Sequence, residues 1–277
     1  MDVSRFPLVP GSSPMLITHS KDMWLHTSDG RRILDAGGGA IVTNIGHGRQ
    51  EIAQVAADAL TQLDYVVPVF ATEARVALVE EVSDHWLPDP SWRCVFVSGG
   101  SESVDAALRV AQLHHVASGR PERHKIIGRD VSYHGATLGA LAAGSHDRRR
   151  KGLEQLLPSM PKTSHSDPDE LEKVIELEGA ETISAFIGEP VIGAAAGAYV
   201  PPDDYWTRIS EICAQHDILV IADEVMTGFG RLGATMGHEA LGFTPDIIAA
   251  GKGLGGGYVP IGGVYCRPEV VEPIGKT

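Results

Sequence analysis

An α/β sheet with helices on both faces is the fold the sequence predicts. Three features point to it: short, wholly apolar runs, segments of helical spacing between them, and turn residues at the junctions. Ile218-Leu219-Val220-Ile221-Ala222 is apolar at every position, as a parallel strand covered on both faces must be. Residues 1–50 differ in texture, being rich in Pro, Gly and Ser with one hairpin-like piece, Met23–Thr27 and Arg32–Asp35 around Ser28-Asp29-Gly30. Helical spacing follows at Ile52, Val55, Ala56, Ala59, Leu60 and Leu63, and again over Thr72–Trp86. From about Arg93 strands and helices alternate. Cys94–Val97 reads as a short buried strand and Ser98-Gly99-Gly100 as a turn. Ser101 reads as the N-cap of a helix carrying Val104, Ala107, Leu108 and Ala111. Lys125–Ile127 and Ile183–Ile187 are further strands. Tyr205–His216 is a helix with Ile209, Ile212 and Cys213 on one face. Asp246–Ala250 and Ile261–Tyr265 complete the series.

Composition narrows the function. The chain has 277 residues, 43% of them hydrophobic, enough for a sizeable core. A net charge of −13 argues against a nucleic-acid or anionic-membrane surface. The basic run Arg148-Arg149-Arg150-Lys151 is expected to be a solvated loop or helix end. Three cysteines without a CxxC pair fit a reducing compartment. No apolar stretch reaches bilayer length and no secretory signal pattern opens the chain, so the expected setting is soluble and cytoplasmic.

The chemistry gathers around Lys252. It follows the apolar run Ile247-Ile248-Ala249-Ala250 and is wrapped in glycine from Gly251 to Gly257. An apolar approach without bulk on either side suggests a buried, tightly fitted amine, and desolvation favours the neutral nucleophile that Schiff-base chemistry needs. A lysine exposed in a flexible glycine loop is the competing interpretation. Val97-Ser98-Gly99-Gly100-Ser101 runs from a strand through a glycine turn into a helix, which is a phosphate site or an ordinary βα turn. Ser132-Tyr133-His134-Gly135 follows a strand, where an aromatic ring can lie on a planar cofactor or pack in the core. Asp223-Glu224 emerges from the most hydrophobic strand as a metal ligand, a general base or the partner of a buried cation. Gly188-Glu189-Pro190 brings another acid to the same sheet edge. Four strand ends thus place polar groups where open α/β sheets bind ligands. No metal site is expected: His114 and His115 point about 100° apart on a helix, and no HExxH or Cys/His cluster occurs. Gly251–Gly256 matches G-x-G-x-x-G, but Pro260 comes too soon for the helix a dinucleotide fold requires.

Taken in order, these pieces resemble the class III aminotransferases, pyridoxal-phosphate enzymes of fold type I, and most of all their ω-aminotransferase-like members. The matching segments are Ser98–Ala107, Tyr133–Leu141, Phe186–Pro202, Val220–Arg231 and Pro245–Gly263, and the resemblance runs from about Ile33 onward. It implies a large domain at 51–277 built on a mostly parallel, seven-stranded-type sheet. Residues 1–50 would be a segment of the small domain at the substrate-site edge. The resemblance also implies pyridoxal 5'-phosphate as cofactor, held by Lys252 through a Schiff base. Asp223 would pair with the pyridinium nitrogen, Val225 and Tyr133 would flank the ring, and His134 would join the cofactor-binding set. Gly100 and Ser101 would bind the phosphate, and Glu189 would line the substrate side. The implied reaction moves an amino group from an amino acid or amine to a keto acid or aldehyde, in a homodimer.

The sequence departs from the family pattern at its end. It stops soon after Lys252, where relatives continue with a Thr-containing loop and a C-terminal small domain, so that domain is expected to be absent and the large domain incomplete. A truncated gene, a split subunit or a fragment would each account for this. Alternative functions on the same scaffold are a decarboxylase or an aminomutase. A third is a non-catalytic remnant that acts only as a binding or dimerising partner.

Overall fold

The computed structural model describes residues 14–276, so residues 1–13 of the expected N-terminal segment lie outside the described part. The chain forms two compact units. One comprises the residues up to Phe70 together with Gly256–Tyr258, and the other Ala71–Gly255 with the residues from Val259 onward.

In the first unit, β1 (Ile17–Lys21), β2 (Trp24–Thr27) and β3 (Arg32–Leu34) form an antiparallel sheet in that order. The expected hairpin is β2–β3, and β1 is an additional strand. The β2–β3 turn closes because Gly30 takes φ 84°, a left-handed conformation that glycine adopts without steric cost. Arg32 lies across the Trp24 ring at 4.1 Å. A single turn, α1 (Gly38–Ile41), and the helix α2 (Gln50–Gln62) follow. The apolar residues that predicted α2 are not buried within the chain: Val55 and Leu60 are 68% and 67% exposed.

The second unit opens with α3 (Glu73–His85), whose N-cap Thr72 accepts the Arg75 amide at 3.2 Å. Alternation then begins with β4 (Arg93–Val97), α4 (Gly100–Ala117), β5 (Lys125–Arg129), α5 (Leu138–Ala143) and α6 (Asp147–Arg150). Next come β6 (Lys162–Thr163), α7 (Glu170–Glu178), β7 (Ile183–Gly188), α8 (Tyr205–Gln215) and β8 (Leu219–Asp223). The series ends with α9 (Gly237–Ala240), β9 (Ile247–Ala250), β10 (Gly262–Cys266) and α10 (Pro268–Val271). The seven strands stand in the order β4-β10-β9-β8-β7-β5-β6. Strand β10 is antiparallel to both neighbours, and the remaining ladders are parallel.

Strand periodicity explains the two covered faces. Ile187, Ile221, Ile247 and Ala249 pack with Val104, Ala107 and Ala111 of α4. On the opposite face Phe186, Val220 and Ala222 pack with Ile209, Ile212 and Cys213 of α8, while Ile248 and Ala250 meet Val82 of α3. Alternate residues of each strand point to opposite faces, so a strand covered on both sides must be apolar throughout.

Two local expectations are corrected, and a third, the solvated basic run, holds for Arg148, Arg149 and Lys151 but not for Arg150. Strand β4 is not buried: it is the sheet edge, and Val95 is 48% exposed. Ser101 is not the N-cap: α4 starts one residue earlier, at Gly100, with Gly99 in the capping position. The basic run is only partly solvated. Arg150 donates to the carbonyls of Leu141, Ala142 and Gly144, and Lys162 donates to those of Ala142 and Ala143. The two cations cover the exposed carbonyl end of α5, where the helix dipole is negative.

Candidate active site

Five chain segments meet at one cleft beyond the strand ends: the β4–α4 turn, the residues after β5, after β7 and after β8, and the turn after β9. The cleft is lined by Gly100, Ser101, Tyr133, His134, Glu189, Asp223, Val225 and Lys252, with Gly135, Ala194 and Met226 completing the wall. All the residues singled out in the sequence for cofactor, catalytic or substrate roles are therefore in one place. Carboxyl ends of parallel strands are where open α/β sheets place ligands, because helix N-termini and free loop amides converge there.

The β4–α4 turn forms one wall. The first amides of a helix have no partner within it and attract anions. The Ser101 hydroxyl accepts the Ala136 amide at 3.0 Å, which leaves its own proton to donate. Glycine is required at three positions around it. A Cβ on Gly100 would stand 2.6 Å from Val225 Cγ1, and one on Gly251 3.2 Å from the Gly100 backbone. A Cβ on Gly135 would stand 2.6 Å from Ser101 Oγ, and Gly135 has φ 146°.

The acids divide the work. Asp223 is 3% exposed. Its Oδ1 accepts the Val225 amide at 3.0 Å, and its Oδ2 lies 2.6 Å from His134 Nδ1. A carboxylate accepts, so His134 Nδ1 is the donor. Its neighbour Glu224 turns away into the protein. It is fully buried and accepts from Thr227 Oγ1, the Gly237 and His238 amides and His238 Nδ1. The Asp-Glu pair is thus one acid at the cleft and one acid that fastens the following loop. Glu189 is 4% exposed, with Oε1 on the Tyr133 amide at 3.0 Å and Oε2 on the Gly193 amide at 2.9 Å. Burial pushes its carboxyl above the usual range, and Asp223 adds to this, while His134 and Arg129 oppose it.

Lys252 is half-buried, not buried as its apolar approach suggests. It takes φ 38°, an uncommon left-handed conformation for a side-chain-bearing residue, at the start of a single 3-10 turn, Lys252–Leu254. Backbone strain of this kind concentrates at functional sites. Among the described residues its ammonium has no hydrogen-bond or ion-pair partner. The same turn is followed by antiparallel β10, not by a helix, so the G-x-G-x-x-G match has no dinucleotide geometry. Tyr133 is half-buried, with the Arg149 guanidinium 4.5 Å from its ring centroid and His146 edge-on at 6.0 Å. The adjacent histidines diverge: His114 Nδ1 meets the Val270 carbonyl and His115 Nε2 the Ser184 carbonyl. Burial pulls His115 down to about 4.

Two parts of this site escaped the sequence. Ala194 and Met226 carry no chemical signature. They lie at the wall because Gly193 leaves room for the Met226 sulfur, which a Cβ there would approach to 2.1 Å. Arg129, beneath Glu189, had a usable signal: a charged residue closing the apolar segment Lys125-Ile126-Ile127-Gly128-Arg129.

The residues fit pyridoxal phosphate. Helix-terminal amides and the Ser101 hydroxyl suit a phosphate, a buried carboxylate suits a protonated ring nitrogen, and Lys252 is, among the described residues, an amine without a partner.

The model of the aminotransferase class-III family matches residues 9–277. The chain is 35% identical over 280 residues to a putrescine–pyruvate aminotransferase of Pseudomonas aeruginosa, covering 94% of this chain and 61% of the relative. It is 34% identical to an omega-aminotransferase of Caulobacter vibrioides, covering 98% and 67%. Among solved structures, an (S)-enantioselective omega-transaminase from Thermomicrobium roseum superposes with a TM-score of 0.90 at 35% identity, covering 95% of this chain and 62% of that one. A transaminase from a marine Virgibacillus gives a TM-score of 0.93 at 30% identity, covering 99% and 66%. The chain thus spans 61–67% of the length of these relatives. Family and fold together identify the chain as a member of the class III aminotransferases, a family of pyridoxal-phosphate-dependent enzymes.

Proposed function

We propose that the chain binds pyridoxal phosphate in this cleft and serves transamination, moving an amino group from an amine or amino acid to a keto acid or aldehyde. The observation that carries the proposal is the convergence of Lys252, Asp223, Tyr133 and Ser101 on one cleft. When bound, the cofactor supplies an aldehyde for the donor amine and an electron-withdrawing ring. The chain's own residues do the rest. Ser101 and the first amides of α4 hold the phosphate. Tyr133 and Val225 flank the ring, and His134 with the Val225 amide fixes Asp223 toward the ring nitrogen. Lys252 holds the cofactor and, once its amine is released, takes and returns the proton at the donor carbon. Glu189 forms the substrate-side wall, as the family pattern implies.

A homodimer is part of the proposal. Val55, Leu60, Tyr65 and Val69 are exposed apolar residues on and after α2, available to a partner surface. The free cysteines Cys94, Cys213 and Cys266 support a reducing, cytoplasmic setting.

The test uses the protein loaded with cofactor. Addition of a primary amine donor should bleach the visible band of the lysine-bound cofactor, and pyruvate should restore it. Carbon dioxide released from an amino-acid donor while the visible band persists would replace transamination by decarboxylation.

A further inference from the structure

Beneath the cleft lies a charge that the proposed chemistry does not use. Arg129, the last residue of β5, is fully buried. Its Nη2 donates to the backbone carbonyl of Glu189, while among the described residues Nε and Nη1 have no hydrogen-bond partner. The guanidinium stands 5.4 Å from the Trp206 ring centroid and 5.8 Å from that of Tyr205. An arginine is charged at any working pH, and burying that charge without a bidentate carboxylate is costly. Stacking on two aromatic rings recovers part of the cost. Gly188 makes the arrangement possible: a Cβ there would stand 2.9 Å from Trp206 and 3.1 Å from Arg129 Nε.

The Arg129–Glu189 contact joins two segments of the cleft wall. Arg129 is four residues before Tyr133 on the loop that leaves β5, and Glu189 directly follows β7. Glu189 then returns the contact with its side chain, holding the Tyr133 amide with one oxygen and the Gly193 amide with the other. The chain of contacts runs from Arg129 to the Glu189 carbonyl, then from the Glu189 carboxylate to the backbone that carries the ring-flanking tyrosine. Two buried acids, Glu189 and Asp223, line the cleft, with His134 Nδ1 on Asp223.

We propose that Arg129 is a positioning residue of this cleft: by holding the Glu189 backbone and balancing its buried carboxylate, it fixes Tyr133 and the Gly193 turn as one wall. The part concerning the cofactor rests on the reading of the cleft as a pyridoxal-phosphate site, and the part concerning the wall does not. The groups facing Glu189 are Arg129, His134 and Asp223. His134 still favours the ionised form when the arginine charge is removed, but one of the opposing groups is gone, so Glu189 will take up a proton at higher pH.

The experiment compares the native chain, Arg129→Lys and Arg129→Met. Hydrogen–deuterium exchange of the Tyr133 and Gly193 amides is read without cofactor, and the pH midpoint of the bound cofactor's visible band is read with it. In Arg129→Met both amides should exchange at least ~10-fold faster, about 1.4 kcal/mol of lost protection, and the midpoint should move to higher pH. Arg129→Lys keeps the charge and a donor and should recover most of both. Should Arg129→Met fail to fold, Arg129→Lys against Gly188→Ala carries the test, since the alanine methyl displaces the guanidinium while leaving its charge in place. Gly188→Ala should then speed exchange at both amides. Native exchange at Tyr133 and Gly193 in these variants overturns the positioning role, as does a general loss of protection across the sheet with an unmoved midpoint. A native chain that takes up no pyridoxal phosphate removes the cofactor reading and leaves the exchange result to decide the wall.

Discussion

Asp223→Asn will bind pyridoxal phosphate roughly 100-fold more weakly than the native chain, a loss of about 2.8 kcal/mol, within the range for removing one member of a buried, hydrogen-bonded charge pair. The cause is local. Asp223 is almost completely buried, and its two oxygens are oriented by the Val225 amide and by His134 Nδ1. An amide at this position keeps the shape but loses the charge facing a cationic ring nitrogen. Its NH2 group can also point at His134, a donor, which disturbs the orientation of the side chain. Fluorescence titration with pyridoxal phosphate measures the effect. Affinity within about twofold of native, a difference of some 0.4 kcal/mol, would mean that Asp223 does not face the ring nitrogen.

Glu224→Ala will cost more in stability than any change at the cleft wall. Its carboxylate is fully buried and receives four donors, two backbone amides and two side chains, that fasten the loop between β8 and α9. Removing it leaves those donors without an acceptor, each unmet buried group costing about 1–3 kcal/mol before relaxation. A net loss on the order of 4 kcal/mol follows, which lowers the melting temperature by roughly 10 °C in a domain of this size. Glu224→Gln retains an acceptor oxygen and should fall between the two. Calorimetry provides the measurement, and a melting temperature for Glu224→Ala within ~2 °C of native would show that the loop is held by other contacts. The two predictions separate neighbouring acids: Asp223→Asn affects the ligand, and Glu224→Ala affects the fold.

That separation marks where sequence reasoning ran out. The strands Leu219–Asp223 and Ile183–Gly188 were legible because burial on both faces forces apolar residues at nearly every position. The cleft was legible because turn glycines and polar residues follow those strands directly. Local sequence could not tell which of Asp223 and Glu224 faces the cleft, since the answer depends on His134 and His238, remote in sequence. It also misplaced β4, because Cys94–Val97 has the composition of a buried strand and only the sheet order makes it an edge. The β1 strand and the capping role of Arg150 and Lys162 were missed for a similar reason: both depend on partners supplied by the fold. In α2 the helix was legible from apolar spacing, but none of those residues is buried and Val55 and Leu60 are exposed, so periodicity identified a helix without identifying its partner.

The central claim is that Lys252 carries the cofactor. The measurement that tests it most directly is borohydride reduction of the protein after incubation with pyridoxal phosphate, followed by mass spectrometry of its peptides. The account predicts a yellow protein that gains one reduced cofactor mass, found on the peptide containing Lys252 and absent from Lys252→Ala. A colourless protein with no added mass, or a label spread over surface lysines and undiminished in Lys252→Ala, would contradict it.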